Sequence, residues 1–267
     1  MRLPGRAVLH ELRLFCIALQ FFTRIPVPAW VGWTPEWMHA SARHYPAVGL
    51  CIGAVGAAVL ALAAQVWPLP VAVGLSMAAT VWMTGGFHED GLADTCDGLG
   101  GTVSRERALT IMKDSRLGSY GALGLVGVLG LKAVALHGLV SVDLLPAAVA
   151  TVWAHALSRV APVVLLWVLP YAGDVEHAKA KPMAQQISGR GLLVVIGWAV
   201  VVSVAAVAVL DDLRPVLAGL LGLAGMVLWC GRWFHGRLGG YTGDTLGASQ
   251  QLSELAALLG WLAVLHG

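Results

Sequence analysis

The chain has 267 residues, of which 58% are hydrophobic and only 12% charged, with a mean hydropathy of +0.76. A soluble domain carries about twice that share of charge, and one core of this length could not hide so much apolar surface, so the bilayer is the solvent that fits. The net charge of +2 and the lack of a basic run interleaved with aromatics give no sign of a nucleic-acid partner. The four cysteines, Cys16, Cys51, Cys96 and Cys230, form no C-x-x-C pair and read as small apolar residues.

Residues 7–24 come first. Leu9, Leu12, Cys16 and Leu19 fall at helical spacing, while Glu11, Arg13 and Arg24 break the apolar run that a signal peptide would need. An amphipathic helix lying in the membrane interface and an ordinary packed helix both fit this pattern. Pro26 and Pro28 end it. Trp30, Trp33 and Trp37 read as an interfacial belt. Seven stretches then reach the length of a span: 45–66, 69–85, 119–140, 144–170, 191–210, 214–231 and 247–265. The expected fold is an all-α, polytopic helical bundle of about seven transmembrane helices plus the N-terminal interfacial helix, one domain over residues 1–267.

With the N-terminus placed in the cytoplasm, fourteen of the seventeen Lys and Arg residues fall on that side. Arg214 alone falls outside, and Lys132 and Arg159 lie within spans. This asymmetry predicts N-in and C-out, with the polar stretches 86–118, 171–190 and 232–246 facing the cytoplasm. The glycines at 118, 121, 124, 127 and 130 suit close helix packing.

The informative segment is the predicted loop His88–Gly98. Glu89, Asp90, Asp94 and Asp97 are four of the fifteen acidic residues, and no Lys or Arg follows before Arg105. If the segment is helical, Asp90, Asp94 and Asp97 share a face at i, i+4 and i+7. Like charges at that spacing repel. Hard divalent ions bridging carboxylates and substrate phosphates would relieve them. H-E-x-x-H fails because Leu92 stands where the second His belongs. Lys113 and Arg116, just before a span and preceded by a candidate N-cap at Ser104, suit phosphate capture or headgroup anchoring. Asp244, at the mouth of the last span, is either a further metal ligand or a helix N-cap. Arg159 is expected to snorkel toward the phosphate site, with His155, Lys132 and His137 as packing residues.

These stretches carry a family resemblance. Gly86-Phe87-His88-Glu89-Asp90-Gly91-Leu92-Ala93-Asp94-Thr95-Cys96-Asp97-Gly98 resembles the signature of cobalamin synthases, the adenosylcobinamide-GDP ribazoletransferase family. The similarity extends to 21–28, 111–118, Ser158-Arg159, Pro170-Tyr171 and 243–248, in family order over almost the whole chain. It implies a multi-pass enzyme of the bacterial inner membrane, active on the cytoplasmic side and dependent on Mg²⁺. The implied reaction joins adenosylcobinamide-GDP to α-ribazole or its 5′-phosphate and releases GMP. Asp90, Asp94, Asp97 and Asp244 are the expected metal ligands, and His88 or Asp97 the expected base. Lys113, Arg116 and Arg159 are the expected phosphate-binding residues. Glu89, at a variable position in the family, receives no role. The bilayer is the other expected partner, and a homo-oligomer or a complex with other late enzymes of the pathway is compatible with the resemblance.

Two other readings compete. CDP-alcohol phosphotransferases also start an Asp-Gly motif on a membrane helix, but there Arg should follow the Ala, whereas Asp94 follows Ala93. A divalent-cation transporter needs carboxylates at mid-membrane, whereas the acidic cluster falls in a predicted loop.

Overall fold

In hydrocarbon each backbone amide must be satisfied within its own segment, so long apolar runs become helices. The structure, a computed structural model, describes residues 4–173 and 186–266, without the side chains of residues 4–6. Lys179 and Lys181 of the expected 171–190 stretch lie outside the described residues. Among the described residues twelve α-helices follow in order: α1 (Pro4–Phe22), α2 (Pro35–Ser41), α3 (Tyr45–Ala63), α4 (Leu69–Thr84), α5 (Phe87–Gly100), α6 (Arg105–Met112), α7 (Ser119–Val142), α8 (Leu144–Leu157), α9 (Val160–Val168), α10 (Gly189–Leu210), α11 (Arg214–Leu238) and α12 (Gly243–Leu265). The β structure among them is a single bridge, Tyr171 to Tyr241.

Among the described residues, five stretches are long and apolar enough to cross a bilayer, and a sixth arises only if α4 and α5 count as one span bent by 90°. The described residues thus give five or six where seven are expected. The 69–85 stretch becomes the 16-residue α4, which turns sharply into α5. The turn is made by Gly85 and Gly86, both left-handed at φ 70° and 73°, a conformation that glycine adopts without steric cost. The 247–265 stretch is helical, but its first half buries Gln250, Gln251, Ser253 and Glu254. It is a post inside the bundle, packed by α11, α5, α7, α9 and α8.

Helix α1 packs on α2 and α3 through Leu14, Ile17, Ala18 and Phe22. Leu9 and Leu12, expected on its apolar face, are exposed with Val8, so the packed face is rotated from the expected one. Trp30 and Trp33 are exposed, and the Arg13 guanidinium sits over the rings of Trp30 and Trp37. Of the cysteines, Cys230 is buried and the other three are half-buried.

The polar connections gather at one end of the bundle. Arg237 donates to the carbonyls of Leu99 and Gly101, each at 2.7 Å. Arg105 donates to Leu238 (2.7 Å) and Ala172 (3.0 Å). These cations, read from sequence as orientation signals, also satisfy the orphan carbonyls that helix ends leave.

Midway along α12, Glu254 is 2% exposed. Its Oε1 lies 2.6 Å from Lys132 Nζ on α7, and its Oε2 accepts from Gln250 Nε2 at 2.6 Å. His155 Nδ1 on α8 is 3.2 Å from Oε2, a charge contact without hydrogen-bond alignment. Gln251 accepts from Lys132 and donates to Glu89 on α5, both at 3.0 Å, and Gln250 donates to Ser158 at 2.8 Å. Lys132 and His155 thus serve packing, as expected, through a charge network. Glu254→Ala would strand the Lys132 ammonium and cost about 3–5 kcal/mol, while Lys132→Met with Glu254→Leu should restore most of the loss. Thermal unfolding of the detergent-solubilised protein reads both, and an unchanged midpoint for the single variant would refute the pairing.

Candidate active site

The acidic stretch is helix α5 rather than a loop, so Asp90, Asp94 and Asp97 do follow one another along a helix. Their surroundings differ. Asp90 is exposed, whereas Asp94 and Asp97 are half-buried. Both Asp97 oxygens accept backbone amides at the start of α7, from Gly118 at 2.7 Å and Gly121 at 2.7 Å. The carboxylate caps the positive end of that helix, and Gly118 and Gly121 lack the Cβ that would strike it. Gly124 likewise clears Cys96, but Gly127 and Gly130 meet no neighbour, so the expected small-residue packing covers only the first half of α7. Asp97 therefore positions the start of α7, and each of its oxygens keeps a lone pair for the base or metal role expected of it.

Gly91 lies between Asp90 and Asp94 and faces α12. A Cβ there would stand 2.8 Å from the Asp244 carbonyl oxygen and 3.1 Å from its Cα. This close approach sets the backbone of Asp244 against α5 at Gly91. Asp244 is not the N-cap: Thr242 is, in a capping box with Thr245. Asp244 sits in the first turn, where the helix dipole favours its charge.

Among the described residues, no three His, Cys, Asp or Glu side chains converge as a metal cage would require. Mg²⁺, however, is commonly held by one or two carboxylates together with substrate phosphates and water. Asp90 and Asp94, one turn apart on α5, carry carboxylates of the kind that donor set uses.

His88 and Arg159 face inward. His88 is 3% exposed, stacks on Phe22 at 5.1 Å, and its Nε2 has no hydrogen-bond partner. With Phe21, Phe22, Tyr45 and Phe87 it lines a cavity of about 30 Å³. Arg159 is 1% exposed, donates from Nη1 to the His155 carbonyl at 2.6 Å and lies over the Phe22 ring at 5.9 Å. It does not snorkel, because the carbonyl, the ring and the nearby charges of Glu254 and Glu89 hold it inside.

Over residues 14–262 the chain matches the cobalamin-5-phosphate synthase family. The chain belongs to that family. An adenosylcobinamide-GDP ribazoletransferase of Leptothrix cholodnii is 71% identical over 257 residues, covering 96% of this chain and 97% of the relative. Proteins of the same name from a Polaromonas species (45% over 271 residues; 93% and 96% covered) and Shewanella halifaxensis (44% over 250 residues; 93% and 94% covered) are similar throughout. No solved structure matches. The chain is therefore a transferase of cobalamin biosynthesis, which removes the transporter and CDP-alcohol readings.

The cationic loop lies between α6 and α7, after the expected cap at Ser104, whose hydroxyl accepts from Arg107 N. Lys113 is exposed. Arg116 is exposed and grips Asp114 through Nε and Nη2 at 2.5–3.1 Å. Those bonds from Arg116 hold the Asp114 carboxyl down at about 2. A depressed folded-state value means that the pairing persists above the ordinary carboxylate range and is lost only as pH falls through about 2.

Sequence reasoning missed Gln250, Gln251 and Glu254. Their signal was present, as three polar residues inside a stretch taken for a lipid-facing span.

Two outcomes follow. Asp97→Ala should lower stability by about 1–2 kcal/mol, the worth of a helix cap, and expose residues 113–118 to protease; limited proteolysis with thermal unfolding checks it. NMR of the Asp114 carboxyl should show no titration above about pH 3.

Proposed function

We propose that this chain transfers the adenosylcobinamide-phosphate moiety of adenosylcobinamide-GDP to α-ribazole or α-ribazole 5′-phosphate, releasing GMP. Its relatives bear the name of that activity. The observation that supports the reading is the Gly91–Asp244 contact, which sets the first turn of α12, with Asp244, against the helix that carries Asp90 and Asp94.

A ribose hydroxyl of the acceptor attacks a phosphorus of the donor pyrophosphate and GMP leaves. The barrier is the charge of both phosphates and the poor leaving group. Asp90, Asp94 and Asp244 would hold Mg²⁺, which supplies neutralisation of the pyrophosphate and of the departing GMP. Lys113 offers an ammonium to the phosphates. Arg116 keeps Nη1 outside its grip on Asp114 and can engage a phosphate from there. Asp97, by capping α7, sets where that loop stands relative to the carboxylates. His88 Nε2 or Asp97 would take the hydroxyl proton. Arg159, next to His88 across Phe22, adds positive potential from within. Positioning and electrostatics carry most of the acceleration in such transfers.

The basic-residue asymmetry supports an inner-membrane enzyme whose polar end, with this site, faces the cytoplasm. Membranes assayed for GMP release from adenosylcobinamide-GDP should show activity that needs both acceptor and Mg²⁺. Asp94→Asn and Asp244→Asn should each lose more than about a hundredfold in kcat/KM, as expected for several kcal/mol of lost charge stabilisation, with unchanged thermal midpoints. Full activity in either variant would reject the assignment.

A further inference from the structure

We propose that the cavity beside α5 is the subsite for the flat, apolar aromatic base of the acceptor nucleoside. The inference rests on the transfer reading above and names where one of its two substrates lies.

The walls are unusual for a packed core. Phe22 meets Tyr45 edge-on at 4.5 Å, and Phe87 meets Phe21 at 5.1 Å and Phe22 at 5.7 Å. Pro162 and Leu166 of α9 close one side. The polar side chain lining the cavity without a partner is His88, through Nε2. Buried polar atoms in a finished core are almost always paired, so an orphan imidazole nitrogen beside a cavity points to an absent ligand.

The chemistry of the walls selects the ligand. Aromatic faces stack with any base. Guanine, the base of the donor, carries several donors and acceptors, and each left unpaired on burial is costly. No carboxylate or amide side chain lines the cavity to meet them. A bicyclic base with few polar atoms loses nothing there, and the acceptor brings such a base.

Position fits as well. Gly243, Leu246 and Gly247 line the cavity and flank Asp244 on α12, and His88 is two residues from Asp90. The cavity and Asp244 thus share the first turn of α12. At about 30 Å³ the cavity is closed down, and a bicyclic ring needs more room. Phe87 is the wall that can yield: it is 41% exposed and directly follows the glycine turn at Gly85 and Gly86.

Full-length enzyme in detergent tests this with Phe87→Leu, which removes a stacking wall, and Leu166→Phe, which fills space from α9. The acceptor KM should rise about tenfold or more in each, from the loss of one stacked ring in the first and from lost room in the second, with the donor KM within about twofold of wild type. Equilibrium dialysis with α-ribazole alone should show the same weakening without turnover. A rise confined to the donor, an equal rise for both substrates, or unchanged α-ribazole binding in both variants overturns the proposal. If wild-type enzyme binds α-ribazole in a manner these substitutions weaken, yet releases no GMP, the transfer reading fails and the subsite stands.

Discussion

A carboxylate at the heart of an apolar bundle must be neutralised where it stands, and Glu254 meets that demand with Lys132 from α7, beside the His155 ring of α8. The cost of burying such charges is recovered only when geometry and flanking hydrogen bonds are good. Gln250 and Gln251 supply them, and through Ser158 and Glu89 they carry the network to the start of α9 and to α5. Helix α12 becomes the member against which the others are registered. Its first half is polar because it never meets lipid.

The site stands at the end of that post. Helix α5 is fastened at three points: Gly91 against Asp244, Asp97 at the amides that open α7, and its C-terminal carbonyls under Arg237. Each attachment joins a different helix terminus to α5. Helix ends carry unsatisfied backbone groups and partial charge, so a set of ends facing one acidic helix is both a structural solution and an electrostatic one. The isolated bridge between Tyr171 and Tyr241 ties the chain beyond α9 to the same end.

The helices were legible because a 20-residue apolar run leaves the backbone few alternatives. Thus 119–140 and 191–210 appear as Ser119–Val142 and Gly189–Leu210. What hydropathy could not give was the environment of each helix. It sums residues without regard to face, so α12, with an apolar second half, passed as a span. The right angle at Gly85–Gly86 was hidden because paired glycines permit a turn without dictating one. The acidic spacing of α5 was legible as a pattern, but its division was not. Nothing local to Asp97 shows that two amides some twenty residues later will take both of its oxygens. Asp244 was found as a candidate from its position, yet its nearness to α5 depends on Gly91, a residue with no side chain to read.

Two residues apart on a helix means about 200° of rotation, so His88 and Asp90 look in nearly opposite directions from one turn. The outward direction is polar and acidic, and the inward direction is aromatic, with one unpaired nitrogen. A transfer between a charged nucleotide donor and a nucleoside acceptor needs two unlike environments within reach of a single phosphorus. Separate domains could provide them only by closing on each other. In the proposed reading a single helical turn would provide both, with Gly91 and Gly247 holding α12 close against α5 and Leu246 lining the inward cavity. A side chain at Gly91 would push α12 away and separate the two environments together. Unlike Asp94→Asn, which removes charge alone, Gly91 substitution strikes the donor and acceptor sides at once.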